Sequence, residues 1–175
     1  MTDILIADDQ RFIRDMVRIT LSTQGWTIAE AGLAQLDDIV GAARRRRVDG
    51  MIVGNTTLAR PPSLKDRIAK ESGGLSGRPL FALSTRMLAE TYVRVEGAFP
   101  LVGTGGIDSG KTALAKIRAG SCLVQLYSSL VFRGLGLVGE IKAELAEALT
   151  GGRRASLPDL VGVDAARMTA ESWPG

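Results

Sequence analysis

The stretch FPLVGTGGIDSG, residues 99–110, decides the fold because an apolar run leads into a glycine turn and then into a helical pattern. A strand that turns on glycines into a helix presents backbone N–H groups at the positive end of that helix. Such a turn suits a phosphate group. The stretch therefore predicts one strand–helix unit of a parallel α/β fold, with an anion site at its turn.

Units of the same kind recur along the chain. Short runs rich in Val, Ile and Leu alternate with longer stretches of helical periodicity. The predicted strands are residues 3–8, 26–30, 50–54, 99–104 and 122–127, and the predicted helices are residues 11–23, 34–46, 85–95, 111–119 and 137–149. Five such repeats predict an open, doubly wound, flavodoxin-like parallel sheet of order 2-1-3-4-5.

The length of 175 residues suits one compact α/β domain and is too short for a complete eight-unit barrel of roughly 250 residues. Within this domain we distinguish residues 1–32, 33–150 and a tail, 151–175, whose last residues are expected to be loosely attached. The single cysteine, Cys122, excludes an intrachain disulfide. The absence of histidine excludes histidine-based catalytic triads and argues against a metal site.

The charge pattern does not favour nucleic acid as a partner. The net charge is +3, and four consecutive arginines, residues 44–47, end a helical stretch, where cations complement the helix dipole. The N-terminus has no basic segment before its first apolar run, and no apolar run approaches the length of a membrane span. We therefore expect a cytoplasmic protein without a membrane partner, and its oligomeric state stays open.

One connection is unusually long. Residues 56–84 join a strand to its helix through Pro61, Pro62 and the glycine-rich run GGLSG, residues 73–77. Long loops in compact domains are usually functional, so this one is a candidate lid or ligand loop. The alternative is an excursion of the chain that binds nothing.

The glycine turn also fits a second pattern, because GGIDSGKT, residues 105–112, matches the P-loop sequence of nucleotide-binding proteins. A P-loop enzyme needs an acidic residue on a later strand to hold magnesium. The remaining strand, residues 122–127, contains none. On the alternative interpretation, Lys111 is an exposed residue in the first turn of the helix.

Four groups of residues carry a resemblance to a known family. They are VDGMIVGNTT at 48–57, GGLSGRPL at 73–80, GTGGI at 103–107, and AG at 119–120 followed by LVQLY at 123–127. In this order they resemble the quinone-dependent dihydroorotate dehydrogenases. The resemblance runs from about Leu33 to near Trp173, and it implies the C-terminal half of a flavin-binding β/α barrel.

The resemblance implies a role for several of these residues. Asn55 and Thr56 would face the orotate or dihydroorotate ring. The residues that would line FMN, chiefly its phosphate and ribityl chain, are Gly54, Gly77, Gly105, Gly106, Tyr127 and Ser128. The chemistry agrees, since glycine lets backbone approach an anion and an Asn amide both donates and accepts hydrogen bonds. The alternative for each glycine is a turn that merely requires positive φ.

Much of the family pattern has no counterpart in this sequence. Its serine or cysteine base, its first-half lysine and asparagine contacts, its lysine-bearing strand before the helix near Leu33 and its membrane-associating N-terminal helix are all missing. Proton and hydride transfer needs a base and a closed site. We therefore assign no catalytic residue and expect little or no turnover.

The first 32 residues resemble something else. ILIADDQ, residues 4–10, a helical stretch, and WTIAEAG, residues 26–32, resemble the opening of a response-regulator receiver domain. In that family Asp8 and Asp9 would help to bind Mg²⁺. The alternative is an acidic strand end that caps the following helix, with at most adventitious Mg²⁺ binding.

Phosphorylation is excluded on chemistry. The position of the receiver's phosphoaccepting aspartate falls near Gly54, and its last-strand lysine is replaced in the region of Leu126 and Tyr127. The chain therefore resembles a chimera in which strand 3–8 pairs beside strand 50–54.

Three functions remain open at this point. The first is a module that binds FMN or a phosphate or sulfate ion without efficient catalysis. The second is a residual or oligomer-completed dehydrogenase that oxidises dihydroorotate to orotate in pyrimidine biosynthesis. The third is a natural or engineered fusion with a purely structural role.

Overall fold

The structure is a computed structural model that describes residues 3–7, 27–31, 36–62, 64–65, 71–150 and 156–174. Its contacts divide the chain into two compact units, Met1–Asp49 and Gly50–Gly175. The predicted helix at residues 11–23 lies outside the described residues, and so do Asp8 and Asp9.

The first unit contains two parallel strands and a helix. Strand β1 (Asp3–Ala7) pairs with β2 (Thr27–Ala31), so that the two strands run in register from end to end. Helix α1 (Leu36–Arg46) buries a stripe formed by Ile39, Val40 and Ala43. Its first turn is acidic and its last turn is basic, which complements the helix dipole. The expectation that the arginine run ends a helix is confirmed.

The second unit is organised around a parallel sheet of three strands, β3 (Met51–Val53), β4 (Leu101–Thr104) and β5 (Leu123–Gln125). Strand β4 lies in the centre and pairs with both neighbours. Side chains alternate between the faces of a strand. One face carries buried residues such as Val53, while Ile52 and Leu123 on the other face are 61% and 64% exposed.

All five predicted strands are present, but they do not form the single sheet of order 2-1-3-4-5. They form one sheet of order β1-β2 and another of order β3-β4-β5. The neighbour relations inside each sheet agree with the predicted order. The predicted order is thus shown only within each unit, because local periodicity reports only that a strand exists, whereas pairing between β1 and β3 depends on contacts between remote residues.

Helices follow each strand of the second unit. A 3-10 turn, Arg78–Leu80, leads directly into α2 (Phe81–Val95), and α3 (Gly110–Arg118) follows β4. Next come α4 (Ser128–Arg133) and α5 (Gly136–Thr150). Helix α2 begins four residues before its predicted start. None of the helices among the described residues combines the length and hydropathy that crossing a membrane requires.

The C-terminal segment contains two short helices, α6 (Leu157–Leu160) and α7 (Ala165–Ala170), of which α7 packs on α2 and α6 contacts α3. Arg86 donates hydrogen bonds to the carbonyl oxygens of Thr169 at 2.9 Å and Glu171 at 2.7 Å. Its guanidinium lies 5.1 Å from the centre of the Trp173 ring, a cation–π contact. One arginine far away in the sequence therefore contacts this segment as far as Trp173, and the loose attachment of the last residues stays a prediction.

Gly162 shows how closely this segment approaches α2. Its φ is +77°, and a Cβ atom at this position would overlap the ring of Tyr92. The Tyr92 hydroxyl donates to the carbonyl oxygen of Val161 at 3.4 Å. The backbone of the C-terminal segment therefore rests on the tyrosine ring, and only glycine leaves room for it.

We predict that Gly162→Ala lowers the free energy of unfolding by about 3 kcal/mol or more, because it adds overlap with Tyr92 to backbone strain. Gly97→Ala is the matched control, since Gly97 has a φ of +75° and no atom within 4 Å of its virtual Cβ. The control is expected to lose only about 1 kcal/mol of stability, through backbone strain alone. Urea unfolding of both variants measures the difference, and equal losses would contradict the proposed contact.

Candidate functional site

The predicted site residues lie at one edge of the three-stranded sheet. The carboxyl ends of parallel strands share an edge, and ligands of α/β proteins bind there. The residues that directly follow the strands are Gly54, Asn55 and Thr56 after β3, Gly105 and Gly106 after β4, and Tyr127 and Ser128 after β5. The turns after the last two strands therefore lie at the same end of the fold, as the sequence predicts.

The long loop brings a further glycine to this edge. The Ser128 hydroxyl donates to the Ser76 hydroxyl at 3.0 Å. A Cβ built on Gly77 would lie 3.9 Å from the Cβ of Ser128. Gly77 is therefore a neighbour of Ser128, although 51 positions separate them in the sequence.

The described parts of the long loop close on themselves. Thr57 and Leu75 exchange two backbone hydrogen bonds, of 3.1 and 2.7 Å. Arg60 donates to the carbonyl oxygens of Glu71 at 2.9 Å and Gly73 at 2.7 Å. These bonds return the chain to the sheet edge just before Gly77. A ligand-binding role for the loop stays a prediction.

The Gly105–Gly106 turn packs against the first turn of α2. Both residues have positive φ, +94° and +74°. A Cβ on Gly105 would lie 2.8 Å from the Ser84 hydroxyl oxygen, and one on Gly106 would lie 2.6 Å from the Cα of Phe81. Such distances exclude any side chain, so the turn requires glycine for packing as well as for conformation.

The remaining predicted residues are more open. Asn55 accepts a hydrogen bond on its side-chain oxygen from the backbone N–H of Thr56 at 2.7 Å. Tyr127 is 80% exposed. A cavity of about 420 Å³ lies elsewhere, lined by apolar residues that include Leu101 and Tyr92 at the opposite end of the sheet. The candidate site is therefore an open edge rather than an enclosed pocket.

The N-terminus of α3 is occupied by groups of the protein itself. Ser109 and Thr112 form a capping box, in which the Ser109 hydroxyl accepts from the Thr112 N–H at 3.3 Å. A carboxylate oxygen of Glu144 accepts from the Gly110 N–H at 2.6 Å. Lys111 is exposed. A nucleotide phosphate would need these donors, and a carboxylate repels it, so the geometry argues against the P-loop interpretation.

This occupied helix end also corrects where an anion could bind. The sequence places the phosphate at the positive end of α3, but two donors of that end, the Gly110 and Thr112 N–H groups, already have partners within the protein. The remaining candidates are the backbone of the Gly105–Gly106 turn and the hydroxyl of Ser128.

Several cross-links hold the turn after β4. Ser129 donates from its hydroxyl to the carbonyl oxygen of Ile107, and Arg133 donates to that of Asp108 at 2.7 Å. The Asp108 carboxylate forms an ion pair with Arg78. Partial burial would raise the pKa of Asp108, but the hydrogen bond and charge of Arg78 outweigh it and lower that pKa. The turns after β4 and β5 and the long loop are thus tied together.

The sequence analysis missed a buried cation beneath the site. Lys116 of α3 is fully buried, and its Nζ lies 2.6 Å from the Ser84 hydroxyl and 5.3 Å from the centre of the Phe81 ring. Burial lowers the pKa of Lys116 to about 7. One signal was available, because Lys116 falls on the same helical stripe as the buried Ala113 and Ile117.

We predict that Lys116→Met stabilises the protein below pH 7. A pKa of about 7 in the fold, against an ordinary value of 10.5, corresponds to about 5 kcal/mol of destabilisation by the charged form. Between these values the unfolded chain binds a proton that the folded chain releases, so wild-type stability rises with pH. The advantage of the variant should therefore shrink from pH 7 to pH 10.5. Urea unfolding across this range tests it, and parallel curves would contradict it.

The fold and the glycine turns by themselves define a class of protein. A parallel sheet with helices on one face and ligand-type turns at its carboxyl edge is the architecture of part of a β/α barrel. The family model for dihydroorotate dehydrogenase matches residues 31–149. The chain belongs to this family.

Relatives and solved structures agree with this assignment. The chain is 69% identical over 147 residues to the dihydroorotate dehydrogenase (quinone) of Bradyrhizobium diazoefficiens, covering 83% of this chain and 40% of the relative. It is 66% identical over 143 residues to that of Rhodopseudomonas palustris, covering 81% and 39%. The ligand-free dihydroorotate dehydrogenase of Eimeria tenella has a TM-score of 0.72 at 35% identity, covering 79% and 40%. The same enzyme in complex with ferulenol has a TM-score of 0.71 at 37% identity, covering 75% and 35%.

The chain thus spans about 40% of the length of the curated relatives that it matches. The predicted resemblance to dihydroorotate dehydrogenases is confirmed. The family match begins at residue 31, so the receiver-like interpretation of residues 1–32 stays a prediction. Within the part of the chain that the structure describes, no three His, Cys, Asp or Glu residues come together as a metal site would require.

Proposed function

We propose that this chain binds FMN at the carboxyl edge of the β3-β4-β5 sheet, with the phosphate group as the main anchor and without efficient turnover. The observation that carries the proposal is the convergence of three separate segments. The turn after β4, the turn after β5 and the return of the long loop at Gly77 meet at this edge, linked by the Ser128–Ser76 hydrogen bond. Family membership supplies the identity of the ligand.

The anion contacts would come from backbone and hydroxyl groups. The Gly105–Gly106 turn follows β4 at this edge, and the Ser128 hydroxyl on the neighbouring turn would rotate its hydrogen from Ser76 to the phosphate. Because the Gly110 and Thr112 N–H groups of the α3 terminus are occupied, the phosphate would sit on the turn rather than on the helix axis. Gly54 and Gly77 would let backbone approach the ribityl chain, beside the exposed Tyr127.

Asn55 and Thr56 are proposed to contact a pyrimidine ring, such as that of orotate. They directly follow β3 at the same edge, and an Asn amide matches a ring edge that both donates and accepts hydrogen bonds. Turnover would also need a base, and the family's serine or cysteine base has no counterpart in these 175 residues. We therefore propose binding without efficient chemistry.

We expect the fluorescence of FMN to be quenched, and the quenching to saturate, when FMN is titrated with the purified chain. Ser128→Ala should weaken binding by roughly tenfold, because it removes one hydrogen bond to a charged group. Thr150→Ala is the control, since Thr150 ends α5, and its hydroxyl bonds within its own helix to the carbonyl oxygen of Glu147. The absence of saturable quenching by the wild-type chain would defeat the proposal.

A second candidate is a dehydrogenase whose site is completed by another polypeptide. The exposed face of the sheet favours it, because parallel sheets are normally covered on both faces, and Ile52 and Leu123 lie open there. Phe132, on the helix after β5, is 87% exposed as well. The occupant that we propose is a second copy of this chain, which would cover the open face but would bring no base of the family's kind, so only residual turnover is expected.

Steady-state oxidation of dihydroorotate with added FMN tests this second candidate. If two copies complete the site, the specific rate should rise with protein concentration while light scattering reports dimers. A rate equal to that of free FMN at every concentration would eliminate it. The proposed origin of residues 1–32 in a receiver domain is independent of both candidates.

A further inference from the structure

The strongest unexplained feature is a cation buried directly under the glycine turn. Lys116 has no exposed surface. None of the ion pairs among the described residues includes it, so no carboxylate of these residues neutralises its charge. Burying an unneutralised ammonium group is costly, and the fold nevertheless holds it at one place. A charge held at such cost beside a candidate anion site calls for a functional explanation.

In its ammonium form Lys116 can make its hydrogen bond to Ser84 in only one direction. An ammonium group donates and cannot accept, so the Ser84 oxygen accepts from Lys116 at 2.6 Å. The single hydroxyl hydrogen of Ser84 is then directed to a carbonyl oxygen, either that of Gly105 at 3.1 Å or that of Phe81 at 3.2 Å. Lys116 therefore reaches the glycine turn through one intervening hydroxyl.

This relay sets the orientation of a backbone donor. In a trans peptide the carbonyl oxygen of one residue and the N–H of the next point in opposite directions. When Ser84 holds the Gly105 oxygen on the side of α2, the Gly106 N–H is turned to the other side of the peptide. Phe81 supports the same arrangement, because its ring contacts Lys116 and its backbone packs against Gly106.

The charge of Lys116 also lies within range of a ligand on the turn. The two hydrogen bonds of the relay place Nζ no farther than about 6 Å from the Gly105 oxygen. Water is excluded from this position, so the field of the ammonium group is weakly screened there. A phosphate group on the turn would experience that field, whereas a ligand without a phosphate would gain little from it.

We propose that Lys116 is a positioning residue that orients the Gly105–Gly106 turn through Ser84 and supplies the buried positive charge by which the site selects a phosphorylated flavin. The proposal rests on the proposed FMN site. It assigns Lys116 and Ser84 a role that neither the glycine pattern nor the sequence motifs indicate. The lowered pKa of Lys116 agrees with it, because a group with that pKa gains a proton readily when an anion binds nearby.

The test compares two ligands that differ only in the phosphate group. Dissociation constants of FMN and riboflavin are measured by fluorescence quenching for the wild-type chain, Lys116→Met and Lys111→Met. Lys111→Met is the matched control, because it removes the same charge from an exposed position of the same helix. We expect Lys116→Met to weaken FMN binding at least tenfold while riboflavin binding stays within twofold, and Lys111→Met to change neither.

Two outcomes would overturn this inference while leaving the proposed FMN site in place. In the first, Lys116→Met binds FMN as tightly as the wild-type chain does. In the second, it loses FMN and riboflavin equally, which indicates a purely structural role. If the wild-type chain binds neither ligand, the proposed function fails first and the inference fails with it.

Ser84→Ala provides an independent measurement. It breaks the relay but keeps the ammonium charge, so we expect a smaller loss of FMN binding, of about threefold, with riboflavin unaffected. This variant decides the question if Lys116→Met does not fold, which circular dichroism would reveal. Unchanged FMN binding in Ser84→Ala would then overturn the role of the relay.

Discussion

The close approach of the Gly105–Gly106 turn to the first turn of α2 is the constraint on which the rest of this structure depends. Phe81 and Ser84 occupy the space that side chains on the two glycines would need. Because the turn and the helix touch, α2 must begin where the long loop returns to the sheet edge, and Gly77 is carried to Ser128. A side chain at either glycine would push α2 away from the sheet. The turns that make up the candidate site would then no longer lie together.

Electrostatics then determine what this edge can bind. The positive end of α3 is neutralised by its own capping box and by Glu144, so it contributes little to an external anion. The ion pair of Asp108 with Arg78 likewise satisfies the acid nearest to the turn. What remains for an anion is the backbone of the turn, the Ser128 hydroxyl once it rotates away from Ser76, and the charge of the buried Lys116 ammonium group. A site of this composition favours a compact anion held by short contacts over a large polyphosphate held along a helix axis.

Local pattern and long-range packing differ in what they reveal. The strand ends are found to within two residues because an apolar run between turns is a local property. Helix α4, with six residues, is too short for a periodic signal, and the early start of α2 follows from packing against the glycine turn. The attachment of the C-terminal segment depends on Arg86, about 85 positions away, which no local pattern reports. The predicted order of the strands is likewise shown only within each unit.

The sequence by itself determined the strand–helix repeat, the glycine turns and membership of the dihydroorotate dehydrogenase family, because each of these is written in contiguous residues. Only the tertiary structure decided that the P-loop pattern is a capped helix, that Gly77 and Ser128 are neighbours and that Lys116 lies beneath the turn. The physical reason is that hydrogen-bond partners and burial belong to pairs of remote residues. A sequence motif shows which chemical groups are present, whereas the fold shows which of these groups already have hydrogen-bond partners.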